Sequence, residues 1–136
     1  MNQLDQSAAT LRIYGDLLVP EDISRWLDGA PTHAQAKGAE ICDEHSGIVR
    51  VADTGMWQLS AVGRHPEDLG SQIEEILAQL TDDLAAWAAV SECFAMDLFC
   101  GVFTQSRKSE LPLTPTVLAA LGQRGIALQL GIYSCY

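Results

Sequence analysis

Positively charged residues are scarce in this chain of 136 residues, which has 8 lysines and arginines against 18 aspartates and glutamates and a net charge of −10. No lysine or arginine occurs between His65 and Ser106. Proteins that bind nucleic acid use positive charge to neutralise phosphate groups, and this composition offers little of it. We therefore expect no nucleic-acid partner.

Long apolar runs are also missing, because no stretch approaches the roughly 18 consecutive apolar residues of a membrane-spanning helix. Residues 1–5 contain Asp5 and no basic cluster, which differs from the start of a secretory signal peptide. We therefore expect a cytoplasmic protein with no membrane partner.

The chain lacks the sequence motifs of common catalytic and cofactor sites. It contains no GxSxG, no P-loop and no GxGxxG motif. The histidines at 33, 45 and 65 are scattered, and no two cysteines have the CxxC spacing of a zinc ribbon or redox pair. We expect no cofactor and no metal, and we favour a protein that is not an enzyme. The four cysteines, expected to be reduced thiols, are Cys42, Cys93, Cys100 and Cys135.

Short alternations of apolar and polar residues predict strands. Asp53-Thr54-Gly55 reads as a tight turn, so the two strands that flank it are predicted to pair as a hairpin. The predicted strands are 10–15, 48–51, 56–62, 94–102 and 126–132, with a further short candidate at 39–42.

Three regions have helical features. Pro20 suits the first turn of a short helix, and Thr114-Pro115 opens another that Gly122 and Gly125 can close. The longest region starts near residue 66, and Thr81-Asp82-Asp83 interrupts it with residues that favour a new N-terminus. The tryptophans at 26, 57 and 87 all fall on predicted buried faces.

These elements predict one α+β domain spanning residues 1–136, with residues 1–9 as a flexible N-terminus. We expect a single antiparallel or mixed sheet of about five strands with helices packed on one face. If the strands at 94–102 and 126–132 are parallel within this sheet, we expect another strand between them.

An acidic block between residues 67 and 97 suggests the first functional hypothesis, a surface that binds a basic protein partner. An immunity or antidote protein that neutralises a basic toxin is one concrete form of it. The simpler alternative is a solvated helix face that maintains solubility. The candidate partner-binding residues are Glu67, Glu74, Glu75, Asp82 and Asp83.

A second hypothesis is a small-molecule-binding or enzymatic domain with a pocket around Trp57. Lys37 and Arg64 would pair with an anionic ligand, and Asp16 would supply a hydrogen-bonding group at the end of the first strand. Pockets of this type are mostly apolar with a few convergent polar groups. The alternative for Trp57 is ordinary core packing.

The outer faces of the first and last strands suggest a homodimer. The last strand contains no lysine or proline, residues that usually guard an open sheet edge. Arg12 and Tyr14 on the first strand, with Gln129 and Tyr133 on the last, would form a mixed polar and aromatic face. The alternative is that the last strand lies mid-sheet. Asp97 shares the outer face of its own strand, where it is either exposed or, if covered, a site candidate.

A series of weak motifs completes the sequence pattern. Their order and spacing resemble a bacterial family labelled domain of unknown function 4279, over about residues 11–133. The resemblance implies a bacterial, single-domain cytosolic protein, and it transfers no activity and no catalytic residue. The motifs are Leu11-x-Ile13-x-Gly15-Asp16, Leu18-x-Pro20-Glu21-x-Ile23, Trp26-Leu27, Pro31-Thr32, Lys37-Gly38, Gly55-x-Trp57-x-Leu59 and Leu128-x-Leu130-x-Ile132-Tyr133.

Overall fold

The computed structural model describes residues 6–42, 44–61, 68–104 and 110–134. These residues form seven strands and four helices. The strands are β1 (Gln6–Gly15), β2 (His33–Gln35), β3 (Glu40–Cys42), β4 (Val49–Val51), β5 (Gly55–Ser60), β6 (Ala95–Thr104) and β7 (Ala127–Ser134). The helices are α1 (Pro20–Leu27), α2 (Leu69–Ala78), α3 (Leu84–Cys93) and α4 (Pro115–Gln123).

Five strands form one mixed sheet in the order β2-β5-β1-β6-β7. β1 is central and antiparallel to both β5 and β6, whereas β6 and β7 run parallel. β3 and β4 form a separate two-stranded sheet. The α+β class and the mixed sheet of five strands are therefore confirmed, with the small second sheet as an addition.

One face of the sheet and the apolar sides of the helices form the core. Alternate residues of the strands, such as Leu11, Trp57 and Leu98, are fully buried there against helix residues such as Ile73 and Trp87. A strand exposes successive side chains on opposite faces, so the apolar alternation read from the sequence becomes this buried layer. The opposite face of the sheet carries the intervening residues.

The predicted break in the longest helical region is confirmed. α2 ends at Ala78, and Asp83 then acts as the N-cap of α3, its carboxylate accepting a hydrogen bond of 3.0 Å from the amide of Ala85. A side-chain oxygen at this position satisfies an amide that has no partner within the helix. Two helices in tandem are the result.

The predicted hairpin of residues 48–51 with 56–62 is wrong. β4 pairs with β3, and β5 instead pairs with β1 and β2. All three side chains of β4 are exposed, so this strand has no apolar face that would place it over the core. Glycine is needed at position 55 because β1 and β5 approach closely there, and not because of a turn. A Cβ at Gly55 would lie 2.7 Å from the carbonyl oxygen of Gly15.

Three other predictions about the fold need correction. β6 and β7 are direct parallel neighbours, because the connection through α4 is long enough to cross over without an intervening strand. β1 begins at Gln6, so residues 6–9 are strand rather than flexible terminus. Trp26 is 39% exposed, because Ile23 and Leu27, one turn apart, take up the buried side of the short helix α1.

Candidate functional site

Two surfaces combine chemistry-bearing residues, and the first is the side of the five-stranded sheet opposite the helices, which we call the open face. The even-numbered residues of β1 (8–14) and of β5 (56–60) lie on this face. The odd-numbered residues of β2 (33–35), β6 (95–103) and β7 (127–133) lie on it as well. Among the residues of this face, Arg12 is the only lysine or arginine and Asp97 is the only aspartate or glutamate. The open face is therefore close to electrically neutral in a chain of net charge −10.

An ion pair lies at the centre of the open face. Arg12 donates from Nε and Nη2 to the two carboxylate oxygens of Asp97, each at 2.8 Å. The Tyr14 hydroxyl donates to the same carboxylate at 3.2 Å, and Arg12 Nη2 also reaches the amide oxygen of Gln129 at 3.4 Å. The bond to Asp97 raises the pKa of the Arg12 guanidinium, with the attraction of the carboxylate adding to it and burial opposing it.

The members of this cluster were predicted from the sequence one by one, and only the fold brings them together. Arg12, Tyr14 and Gln129 were expected on one outer face, and they do lie there. Of the two alternatives for Asp97, simple exposure is wrong and the covered position holds, because the residue is only 6% exposed. The opposite charges of Arg12 and Asp97 predict a pair only if β1 and β6 are neighbours in this register, and the sequence does not give that register.

Aromatic rings cover the part of the open face next to the ion pair. The Arg12 guanidinium lies 4.8 Å from the centre of the Phe99 ring, a favourable cation–π arrangement. Phe103 and Tyr133 stack with their ring centres 5.0 Å apart and their planes 16° from parallel. We call Phe99, Phe103 and Tyr133 the aromatic patch.

Two glycines, Gly101 and Gly131, face each other on β6 and β7 beneath the aromatic patch. A Cβ at Gly131 would lie 3.0 Å from Cζ of Phe99 and 3.3 Å from the Tyr133 hydroxyl, and one at Gly101 would lie 3.4 Å from Phe103. The rings therefore lean over positions that have no side chains. The patch is a packed layer rather than three separate side chains.

The second surface lies on the helix side and is a groove of about 550 Å³, which we call the acidic groove. The side chains of Leu77 and Leu80, both largely buried, and of Ala120 form an apolar floor. The carboxylates of three exposed residues border it. They are Asp28, just after α1, Glu74, on α2, and Asp82, between α2 and α3.

The groove forms because the end of α1 meets the junction of α2 and α3. The amide of Thr81 donates to the carbonyl oxygen of Leu27 at 2.7 Å, and the indole of Trp87 donates to the carbonyl oxygen of Thr81 at 2.7 Å. Asp28 ends α1 in the left-handed region, at a φ of 56°. These contacts hold the carboxylates of Asp28 and Asp82 at the same groove.

Of the predicted partner-binding residues, the structure brings Glu74 and Asp82 to the acidic groove. Asp83 is exposed and serves as the N-cap of α3, and Glu75 is half-buried on α2. Glu67 lies outside the described residues. Asp28 was missed, since it lies some 40 residues before the acidic block in sequence and only the fold brings it to Glu74 and Asp82.

Arg124 contributes the one positive charge that lines the acidic groove in the described part of the chain. Its Nη1 donates to the carbonyl oxygen of Ala120 at 3.0 Å, and its guanidinium lies 5.8 Å from the centre of the Trp87 ring. Its Nε is buried and has no hydrogen-bond partner among the described residues. The carboxylates of Asp28, Glu74 and Asp82 form no ion pair with a described residue.

The proposed pocket around Trp57 has a different geometry from the one expected. Trp57 is fully buried, and its indole donates to the hydroxyl of Ser24 at 3.0 Å. Lys37 pairs with Asp16 at 3.3 Å, and this hydrogen bond lowers the pKa of the Asp16 carboxyl. Arg64 lies outside the described residues. Trp57 and the Lys37–Asp16 pair therefore do not form one surface, and an anionic ligand has no free cation there among the described residues.

No group of three or more histidine, cysteine, aspartate or glutamate side chains among the described residues could hold a metal ion. No described helix has the length and apolar composition to cross a membrane.

The fold and its two surfaces define a small α+β domain built on a five-stranded mixed sheet, with an open face on one side and an acidic groove on the other. The family described as "Domain of unknown function (DUF4279)" matches residues 5–135, and the chain belongs to this family. The resemblance seen in the sequence motifs is thereby confirmed. No curated protein and no solved structure matches the chain.

Proposed function

We propose that this domain is a protein-binding module that receives a basic segment of a partner protein in the acidic groove. The observation that carries the proposal is the set of three carboxylates, from Asp28, Glu74 and Asp82, around an apolar floor. None of the three forms an ion pair with a described lysine or arginine, and the single positive charge of Arg124 does not balance all three negative charges. Their negative charge is therefore available to a partner.

The chemistry of the groove suits a segment with both basic and apolar side chains. Leu77, Leu80 and Ala120 offer apolar surface, which supplies affinity when it is removed from water. Carboxylates around such a surface speed encounter with a basic partner and reject acidic ones. The net charge of −10 adds to this steering over a longer range.

A bacterial cytoplasmic setting and an antidote role fit this proposal. An immunity or antidote protein must recognise one toxin tightly, and a basic toxin would be drawn to an acidic surface of this kind. The proposal includes no catalytic step, and it assigns no catalytic residue.

The test is capture of the partner by the whole chain, using a photo-crosslinking amino acid in place of Ala78, an exposed residue that lines the acidic groove. We expect a basic protein to be crosslinked in cells that produce this chain. In a variant with Asp28→Lys, Glu74→Lys and Asp82→Lys, we expect the association rate with that protein to fall by about tenfold or more.

The matched control reverses three other exposed carboxylates, with Glu40→Lys, Glu44→Lys and Glu110→Lys, so that the net charge changes equally. This control should retain most of the association rate. Equal losses in both variants would show that net charge alone attracts the partner, and capture of acidic proteins only would contradict the proposal directly.

A further inference from the structure

We propose that two copies of this chain associate through their open faces, with the aromatic patch of Phe99, Phe103 and Tyr133 at the centre of the contact. This interaction surface lies on the opposite side of the sheet from the acidic groove. It does not depend on the function proposed for that groove.

Charge is the first argument for a second copy as the occupant. Two copies each carry a net charge of −10 and repel one another wherever carboxylates meet. The open face brings no uncompensated carboxylate into the contact, because its two charged residues, Arg12 and Asp97, neutralise each other at 2.8 Å. A basic partner would be drawn to the helix side, whereas a second acidic copy can approach the open face.

The polar groups of the open face are the second argument. Two copies related by a twofold axis present the same surface to each other, so that surface must be complementary to itself. Thr10, Tyr14, Gln58 and Gln129 carry hydroxyl or amide groups, each of which can both donate and accept hydrogen bonds. A face of this composition can pair with its own image, whereas a face of one charge cannot.

The aromatic patch supplies the apolar centre that such a contact needs. Phe103 is 39% exposed and Tyr133 is 49% exposed, although both are large rings packed against each other. Aromatic residues are enriched at the centres of protein interfaces, where they bury a large area with little loss of side-chain freedom. The rings lie over Gly101 and Gly131 as a low layer, which suits another flat surface.

The edge of the sheet extends the same surface. β7 is an edge strand of eight residues, and Tyr133, on its open-face side, is 49% exposed. Unguarded edge strands favour contact with another chain. A dimer centred on Tyr133 would also cover part of this edge.

The test is the mass of the full chain measured by light scattering and sedimentation over a range of micromolar concentrations. We expect a mass of about twice 14.7 kDa for the unaltered chain. Tyr133→Lys and Phe103→Lys should each return the mass to that of one chain, because each places a buried positive charge opposite its own image. Circular dichroism and thermal unfolding of each variant establish that the fold is retained.

The matched control is Leu118→Lys, which adds the same charge at an apolar residue of α4 that is 47% exposed and lies away from the open face. This variant should remain a dimer. A further prediction separates the two surfaces: added salt should strengthen the dimer by screening repulsion between the acidic copies, whereas it should weaken capture of a basic partner at the groove.

Three results would overturn the proposal. The first is a mass of one chain at every concentration, which would leave the open face to a different partner. The second is a dimer that persists in both open-face variants, which would place the contact elsewhere. The third is a dimer that Leu118→Lys disrupts as strongly as Tyr133→Lys.

Discussion

Arg12 and Asp97 lie directly opposite each other on neighbouring antiparallel strands and share two hydrogen bonds of 2.8 Å. The pair joins β1, the central strand, to β6, and Gln129 extends it to β7 at 3.4 Å. The Asp97 side chain is 8% exposed, whereas that of Arg12 is 27% exposed. A carboxylate that is largely removed from water in this way depends on its partners for solvation.

The first prediction concerns this pair. Asp97→Ala should lower the free energy of unfolding by about 2–3 kcal/mol, because hydrogen bonds to charged groups contribute about that much and Arg12 loses its counter-charge. Arg12→Ala should have a comparable effect, since it leaves the carboxylate uncompensated. Urea unfolding of both single variants and of the double variant gives the coupling energy.

The control for the pair is Arg25→Ala, which removes the surface pair of Arg25 with Asp22 on α1. That pair joins two exposed side chains, so its loss should change stability by less than about 1 kcal/mol. A coupling energy near zero for Arg12 and Asp97 would show that the pair does not stabilise the fold.

The second prediction concerns Gln72, a polar residue on the apolar side of α2 that is only 1% exposed. Its amide oxygen accepts from the amide of Ala9 at 2.9 Å, and its amide nitrogen donates to the carbonyl oxygen of Ser7 at 2.8 Å. Gln72→Leu should destabilise the protein by about 1–3 kcal/mol, because two buried backbone groups of β1 lose their partner.

Gln79→Leu is the control for Gln72, since Gln79 is an exposed glutamine at the end of the same helix. Its replacement should change the unfolding midpoint in urea only slightly. If Gln72→Leu is neutral as well, the two hydrogen bonds do not hold α2 to β1.

Strands whose apolar residues alternate with other residues over the whole element were predictable from the sequence. β1, β5, β6 and β7 were all found in this way. The partner of β4 could not be found, because a strand of three exposed residues has no pattern that specifies a face. The adjacency of β6 and β7 depends on the path of the crossover through α4, which local pattern does not encode.

The two surfaces were predictable only in part. Glu74 and Asp82 were identified through their sequence neighbours, whereas Asp28 joins them only because α1 ends beside the junction of α2 and α3. Trp57 was a pocket candidate because it follows a predicted glycine turn at the start of a strand, but an indole N–H can be satisfied inside the core, as its bond to Ser24 shows. The periodicity of a sequence indicates which face of a strand or helix a residue occupies. It does not indicate which distant residue will pair with a buried polar atom.

The third prediction concerns the thiol of Cys100, which is fully buried on β6. Burial, with a smaller contribution from the charge of Asp97, raises the pKa of this thiol to about 12. In a variant with serine at positions 42, 93 and 135, Cys100 should react with a thiol reagent roughly a hundredfold more slowly in the folded chain than in urea. The reaction is followed by absorbance.

The raised pKa of Cys100 also fixes the sign of a pH effect. The native thiol holds its proton more tightly than an unfolded one, so its contribution to stability is complete below the ordinary thiol pKa, about 8.5, and declines as the pH rises towards 12. The unaltered chain should therefore lose more unfolding free energy than Cys100→Ala on moving to alkaline pH. Rapid labelling of native Cys100 at neutral pH would contradict both expectations.

The fourth prediction contrasts two glycines. A Cβ at Gly55 would lie 2.7 Å from the Gly15 carbonyl oxygen and 2.9 Å from the Leu18 Cβ, and backbone atoms cannot yield as a flexible side chain can. Gly55→Ala should therefore lower the unfolding free energy by more than about 1 kcal/mol. Gly122 lies within α4 with open space around it, so Gly122→Ala should raise the unfolding free energy by about 0.5–1 kcal/mol. Thermal and urea unfolding measure both changes. The same sign for the two variants would show that the close approach of β1 and β5 at Gly15 and Gly55 does not exclude a side chain.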